Sequence, residues 1–347
     1  MNDPYFPLLS LGWSDRWAAL LAEVPPVPES PVPGRVVRRE RGVALVATAA
    51  ATVPVEVSGL PEEIVTGDWV ALAGGRIASL LPRAGLLRRR GPDGSEQLLA
   101  ANLDLVLLVC GLDRPVKQGR ISRGAVQAWD SGASPVVVLN KADLVEDPMA
   151  TAEAVAATAL GVDVLSVSSR TGAGLDAVRD AIAGRTSVLL GESGAGKSSL
   201  LNALAGRTVS EEGEVRRGDA KGRHTTTRRE LHVLRGGSTV IDTPGIRSLG
   251  LAASTEAVES VFADVEEISA LCRFADCSHG SEPGCAVRQA VEEGRVRSDR
   301  LEAFLELRRE VESQELRANP HKLRRMERSF ARFTDEGQRA KQGRLRR

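Results

Sequence analysis

Aromatic residues are scarce, at 3% of 347 positions. That argues against a broad aromatic platform for stacking nucleic-acid bases. The four cysteines are too few for a disulfide scaffold. Three of them fall between positions 272 and 285, which reads as metal binding in a reducing compartment. There is no surplus charge: 46 Lys and Arg balance 46 Asp and Glu, so whole-molecule attraction to nucleic acid is not expected, although local patches survive the averaging. Long apolar runs are missing too. The longest, near residues 43–53, is well short of the roughly 20 residues that span a bilayer. The opening MNDPYFPLLSLGW has no basic stretch ahead of an apolar one, so no secretory signal is expected. These absences exclude the secreted, membrane and fibrous classes. What remains, 42% apolar and 27% charged, is a soluble globular composition, long enough for about two or three domains.

The texture changes along the chain. Residues 1–33 hold a short amphipathic piece around 13–21 and then VPPVPESPVP, which reads as an extension and linker. Residues 34–90 carry five short β-rich segments punctuated by Gly, Pro and Asp, the pattern of a small barrel. An OB-fold is one candidate, and an SH3-like barrel fits the same pattern. Over 91–250, apolar β-branched runs (LDLVLLVCG, SPVVVLNKAD, DVLSVSS, TSVLLGESG, STVIDTPG) alternate with helical segments. That predicts a doubly wound α/β domain on a parallel sheet. Residues 251–347 are helical and charged: 251–315 carry 15 acidic and 7 basic residues, a net of −8, and 316–347 carry 11 basic and 3 acidic, a net of +8.

GESGAGKSS (191–199) matches GxxxxGK[ST] between a β-run and a helical segment. In this arrangement the backbone N–H groups of Gly191, Glu192, Ser193, Gly194, Ala195 and Gly196 cradle phosphates at a helix N-terminus. Lys197 would reach the β- and γ-phosphates, Ser198 would ligate Mg²⁺, and Ser199 completes the motif. The base is chosen elsewhere. NKAD (Asn140, Lys141, Ala142, Asp143) ends a buried run, where ligand loops sit in such sheets. The Asp143 carboxylate can accept two parallel hydrogen bonds from guanine's ring N–H and amino group, a pair that adenine does not offer. Lys141 can lay its stem over the base, and Asn140 can tie this loop to the phosphate loop. Ser168 and Ser169 of VSS can present a backbone N–H to guanine O6. In DTPG, Asp242 would hold Mg²⁺ through water and the Gly245 amide would meet the γ-phosphate.

Between the phosphate loop and DTPG lies a polar, Gly-rich segment ending in HTTT. One of Thr225, Thr226 and Thr227 should close over Mg²⁺ and the γ-phosphate, with Thr226 the first choice. Many GTPases place a water-orienting Gln just after DxxG, but Ile246 stands there in this chain and cannot hydrogen-bond water. His224, beside the threonines, is the candidate to orient or deprotonate the attacking water. Lys197, Thr226 and His224 therefore form the candidate catalytic set. CRFADCSHGSEPGC supplies Cys272, Cys277, His279 and Cys285, a C-x4-C-x-H-x5-C pattern that fits a closed, structural tetrahedral zinc site. Cys110, in a buried run, reads as core. Three basic stretches, 35–41, 82–90 and 321–347, flank the barrel and end the chain, and together they favour RNA bound through phosphates and shape.

The motifs occur in an unusual order: NKAD and VSS first, then GESGAGKSS, HTTT and DTPG. This resembles a circularly permuted GTPase of the translation-factor type, in which the old termini are joined and a different loop is cut. A barrel, a permuted GTPase and C-x4-C-x-H-x5-C over about residues 34–315 resemble one family, the ribosome small-subunit-dependent GTPases (RsgA, also called YjeQ). The resemblance implies an N-terminal OB-fold and a cytoplasmic monomer that acts late in 30S subunit maturation. It also implies binding to 16S rRNA and hydrolysis stimulated by the 30S subunit. The family's nucleotide contacts map onto Asn140, Lys141, Asp143 and 191–199, its zinc ligands onto Cys272, Cys277, His279 and Cys285, and its pre-threonine histidine onto His224. The competing reading is an RNA-binding structural protein with bound GTP and vestigial hydrolysis, which Ile246 keeps open. A permuted GTPase for the large subunit fits the barrel and the metal motif less well.

Overall fold

The computed structural model describes residues 6–25, 28–91, 95–159, 161–210, 229–243, 253–280 and 282–318. A 3₁₀ turn (Phe6–Leu11) and helix α1 (Asp15–Ala22) precede five strands: β1 (Val32–Glu40), β2 (Val43–Ala47), β3 (Thr52–Glu56), β4 (Trp69–Ala73) and β5 (Arg76–Leu80). Strand β1 is long and bulged between Val36 and Arg38, which lets it pair with β2 along one stretch and with β4 along another. With β2–β3 and β4–β5 also paired, the strand order is 3-2-1-4-5 around a core of Val36, Val46, Val55, Val70 and Ile77. Strands β6 (Leu86–Arg90) and β7 (Glu96–Ala101) form a separate hairpin.

The second half alternates as its apolar runs predict: β8 (Leu105–Gly111), α2 (Gln118–Asp130), β9 (Ser134–Asn140), α3 (Pro148–Ala156), β10 (Asp163–Ser166), α4 (Leu175–Ile182), β11 (Thr186–Gly191), α5 (Lys197–Ala205), β12 (Glu230–Val233) and β13 (Thr239–Asp242). Strands β10, β9, β8, β11 and β13 are parallel in that order. Alternation along β8 divides two cores. Val106 and Leu108 face Ile121 of α2 and Val155 of α3, whereas Leu105, Leu107 and Val109 face Val178 of α4 and Leu200 and Leu204 of α5. The chain then forms α6 (Thr255–Val261), α7 (Ala263–Ser269), α8 (Ala286–Glu292) and α9 (Ser298–Ala318). Their core of Phe262, Val265, Phe304 and Leu307 also takes in Ala125 and Val126 of α2, and Arg123 of α2 reaches Glu310 of α9 at 2.7 Å. Helix α2 thus joins the parallel sheet to the C-terminal helices.

The five N-terminal strands and the parallel sheet are continuous. Strand β12 pairs antiparallel with β13 on one side and with β1 on the other, at Arg38↔Glu230. The reading of 35–41 as a basic surface stretch is corrected here at Arg35, which is 1% exposed. Its guanidinium donates to the carbonyls of Leu11, Gly67 and Asn102 and to the Thr186 hydroxyl, and it lies 5.4 Å from the Trp69 ring centroid. Burial pushes its pKa down to about 10, which leaves it charged at neutral pH. Trp13 and Trp17 pack on the same Trp69 at 5.0 and 5.8 Å, so the segment before the prolines is part of the core. Other arginines of the two early basic stretches also have partners: Arg38 with Glu40, Arg83 with Asp68, and Arg88 with Asp130. Arg35→Ala would strand those acceptors and open space beside Trp69. A loss of about 2–4 kcal/mol is expected in urea titrations. Arg35→Lys should rescue little of it, because an ammonium cannot fork toward several acceptors at once.

Candidate active site and metal centre

Strand β11 lies between β8 and β13 in the parallel sheet and delivers Gly191–Gly196 to the N-terminus of α5. Two glycines permit close approach. A Cβ on Gly191 would lie 2.2 Å from the Val109 carbonyl oxygen, and one on Gly196, at φ +90°, would lie 2.4 Å from Asn140 Nδ2. Lys197 Nζ folds back onto its own loop, donating to the carbonyls of Gly191 and Glu192 at 2.8 Å each. Burial lowers its pKa, partly countered by the Asp242 charge. Glu192 pairs with Arg120 of α2, a partner the motif does not suggest. Ser193 is exposed, Ala195 is buried and Ser199 is half-buried at the start of α5. Ser198 and Asp242 are linked through Ser210: the Ser210 hydroxyl lies 3.2 Å from the Ser198 hydroxyl and donates to Asp242 Oδ2 at 2.8 Å. Such hard oxygens suit Mg²⁺, the cation that accompanies a phosphate loop.

The NKAD loop leaves the end of β9 and is tied to the phosphate loop. Asn140, 1% exposed, donates through Nδ2 to the carbonyls of Ala195 and Gly196 at 3.3 and 3.2 Å. Its Oδ1 accepts from the Lys141 amide, the Ser169 amide and the Ser169 hydroxyl at 2.8, 3.1 and 2.9 Å. Lys141 takes a left-handed φ of 65° and directs Nζ to the Gly194 carbonyl at 2.6 Å, with Asp113 at 3.0 Å. Ala142 is buried, and its amide donates to the Val167 carbonyl at 3.0 Å, which joins the NKAD and VSS loops. Asp143 accepts from the Ser168 hydroxyl at 2.5 Å and pairs with Arg170 at 2.8 Å. The Ser168 hydrogen bond, helped by the Arg170 charge, holds its carboxyl below the usual range, so it stays an acceptor.

The sheet therefore brings Asn140, Lys141, Asp143, Ser168, Ser169, the 191–199 loop and Asp242 to its carboxyl edge. His224, Thr225, Thr226, Thr227, Gly245 and Ile246 lie outside the described residues. Sequence reading missed Asp113, Arg170 and Ser210. The first two directly follow recognisable strand or motif ends, but Ser210 carries no local signal. Cys110 packs against the core while lining a cavity of about 310 Å³ between β8, α2 and the phosphate loop. Burial pushes its thiol up to about 11, so it is protonated at neutral pH.

Cys272, Cys277, His279 and Cys285 come together before and at the start of α8, their ligand atoms all within 4.8 Å of one another. His279 Nδ1 lies 3.7 Å from Cys272 Sγ and 3.5 Å from Cys285 Sγ, and the two sulfurs are 4.0 Å apart. A tetrahedron with metal–sulfur and metal–nitrogen bonds of about 2.3 and 2.0 Å has edges of roughly 3.5–3.8 Å, so the four atoms fit one metal ion. His279 holds φ at 59°, a left-handed turn that aims its ring at the sulfurs. Chelation or Cys277→Ser is expected to unfold 272–285 while GTP affinity stays within about twofold, since the metal supplies local folding energy. Circular dichroism and nucleotide titration of the same sample check this, and parallel loss of both would contradict a separable site.

Comparison with known proteins places the chain among relatives of one kind. The RsgA GTPase family model matches residues 80–252. An ABC transporter model matches residues 180–325, a span that holds the phosphate loop but not the NKAD loop. The small ribosomal subunit biogenesis GTPase RsgA of Streptomyces coelicolor is 41% identical over 317 residues, covering 87% of this chain and 86% of that protein. RsgA 2 of Listeria monocytogenes is 44% identical over 264 residues, 76% of each. Among solved structures, YjeQ from Thermotoga maritima has a TM-score of 0.61 at 27% identity, covering 81% of this chain and 98% of that one. YloQ, a circularly permuted GTPase, has a TM-score of 0.59 at 24% identity and covers 82% and 96%. An NKAD loop placed ahead of the phosphate loop in the chain, extensive identity to the curated relatives and a shared permuted fold lead to one conclusion: this chain is a GTPase and belongs to the RsgA GTPase family.

Proposed function

We propose that the chain hydrolyses GTP as a switch in the biogenesis of the small ribosomal subunit, docking on the 30S subunit in the GTP state and leaving after hydrolysis. The observation that carries this is the Asn140 tie. By holding the guanine-reading loop on the phosphate-loop carbonyls of Ala195 and Gly196, it makes base recognition and phosphate binding one rigid unit. The relatives' printed names supply the small-subunit role.

The finer parts of the proposal rest on separate observations. Strand order 3-2-1-4-5 in the barrel supports an OB-fold within residues 34–90, followed by a GTPase domain (91–250) and a metal-binding helical domain with a basic tail (251–347). Three sulfurs and one imidazole at tetrahedral spacing support Zn²⁺ in a structural role, because a closed four-ligand site leaves no position for a substrate water. The remaining basic residues support contact with 16S rRNA through its phosphates. The free thiols support a reducing cytoplasm, and the chain is expected to act as a monomer.

A single-turnover GTP assay with and without 30S subunits, paired with co-sedimentation, tests the proposal. Strong stimulation and GTP-dependent docking are expected. Docking with no stimulation would favour an RNA-binding protein whose GTP is only a ligand, and a response to 50S instead of 30S subunits would overturn the assignment.

A further inference from the structure

Three oxygens converge beside the first turn of α5. Two belong to Ser198 and Asp242, the groups read above as facing Mg²⁺. The third is the hydroxyl of Ser210, 3.2 Å from the Ser198 hydroxyl and 2.8 Å from Asp242 Oδ2. No motif covers Ser210, and its position is enforced from below. Asn202 of α5 donates through Nδ2 to the Ser210 carbonyl at 2.9 Å, and its Oδ1 accepts from the amides of Val209 and Ser210 at 2.8 and 3.0 Å. One helix side chain thus fixes the backbone on both sides of the Val209–Ser210 peptide with three hydrogen bonds. The spacing is informative. Neighbouring oxygens around an octahedral Mg²⁺ with bonds of about 2.0–2.1 Å lie about 2.9 Å apart, and the Ser198–Ser210 separation of 3.2 Å is close to that, while Asp242, which would hold the cation through water, accepts from the Ser210 hydroxyl.

We propose that the Ser210 hydroxyl is a third protein oxygen of the Mg²⁺ site, positioned by Asn202 and used chiefly when GDP is bound. In the triphosphate state the γ-phosphate and a switch threonine can supply oxygens to the cation, and both contributions are lost after hydrolysis. A hydroxyl anchored to α5 is available in either state, because its anchor involves no part of the nucleotide. It would retain Mg²⁺, and through it GDP, until the partner promotes release. The proposal rests on the reading of Ser198 and Asp242 as the Mg²⁺ groups.

The test is the release rate of a fluorescent GDP from the full chain as a function of Mg²⁺ concentration, with an EDTA baseline. Ser210→Ala is expected to raise the Mg²⁺ concentration that half-maximally slows release by about tenfold, the effect of losing one oxygen contact. Its rate in EDTA should match the parent. Asn202→Ala should shift in the same direction, and Ser210→Thr, which keeps a hydroxyl, should restore most of the parent response. An unchanged Mg²⁺ dependence in Ser210→Ala overturns the proposal. So does a lowered Mg²⁺ requirement, which would make the hydroxyl a competitor of the cation, or release accelerated equally with and without Mg²⁺, which would make it a loop-shaping contact. Ser198→Ala separates the two levels: a response flat in both variants overturns the underlying reading of the site, whereas one flat only in Ser210→Ala overturns the new assignment alone.

Discussion

Asp143→Asn is expected to weaken GTP binding by about 10²–10³-fold and to create a preference for xanthosine triphosphate. Two hydrogen bonds from guanine to a carboxylate are charge-assisted and stronger than neutral ones, and part of their loss is recovered by water. In the substituted side chain one acceptor becomes an N–H donor. If that N–H faces guanine, it meets the amino group, donor against donor; xanthine presents a carbonyl there instead. The protein's own contacts limit the alternative. Ser168 donates to Oδ1 at 2.5 Å and Arg170 pairs with Oδ2 at 2.8 Å, so a flipped amide would turn its N–H toward a hydroxyl or a guanidinium that also donates. The side chain is largely enclosed, at 13% exposure, and cannot turn aside freely. Asn140 is untouched, so the phosphate loop should keep its shape and the loss should be confined to base recognition. Competition of GTP, XTP and ATP against a labelled guanosine nucleotide measures the outcome. Undiminished GTP preference would remove Asp143 from that role.

Much of this site is legible in the sequence because it is local. A strand that must end at a ligand shows as a β-branched run followed by a motif, and VVVLN, TSVLLG and TVID end at the carboxyl edge of one parallel sheet, on β9, β11 and β13. The Cys–His spacing is legible for the same reason: the metal-ligating atoms lie within one short excursion between α7 and α8. Contacts that join distant segments are not legible. Arg35 looks like the first of several surface cations, yet it is buried because the segment around Leu11, the Gly67 loop, Asn102 and Thr186 all place acceptors around it. Nothing within ten residues of Arg35 announces those partners. The pairing of Arg38 with Glu230 is equally silent, since it depends on β1 being bulged and long enough to serve two sheets. Ser210 is hidden differently: its hydroxyl matters only because Asn202, a helix residue eight positions earlier, turns the chain back over the first turn of α5.

His224→Ala is expected to lower subunit-stimulated turnover by about 10²–10⁴-fold, the usual worth of a positioned general base, with GTP affinity nearly unchanged. His224 lies outside the described residues, which bound its segment at Ser210 and Arg229. At one end Ser210 touches Asp242 and sits beside Ser198; at the other, Glu230 opposes Asp242 across the β12–β13 ladder. Ser210 and Glu230, which flank the segment, thus both lie beside Asp242, the residue read as facing Mg²⁺. Ile246 gives the need, because a hydrocarbon cannot orient water where many GTPases use glutamine. His232 provides the control. It lies on β12 opposite Val240, away from the strand end that carries Asp242, and burial lowers its pKa so that it is neutral. His232→Ala should leave stimulated turnover within about threefold of the parent, a change of the size that packing adjustments produce. Because the imidazole of His224 would act on the transition state, its removal should spare GTP-dependent docking on the subunit. Turnover at saturating 30S, measured beside co-sedimentation of the same variant, separates the alternatives. Loss of both would mark His224 as a docking contact, and normal turnover would leave a group supplied by the ribosome as the one that orients the water.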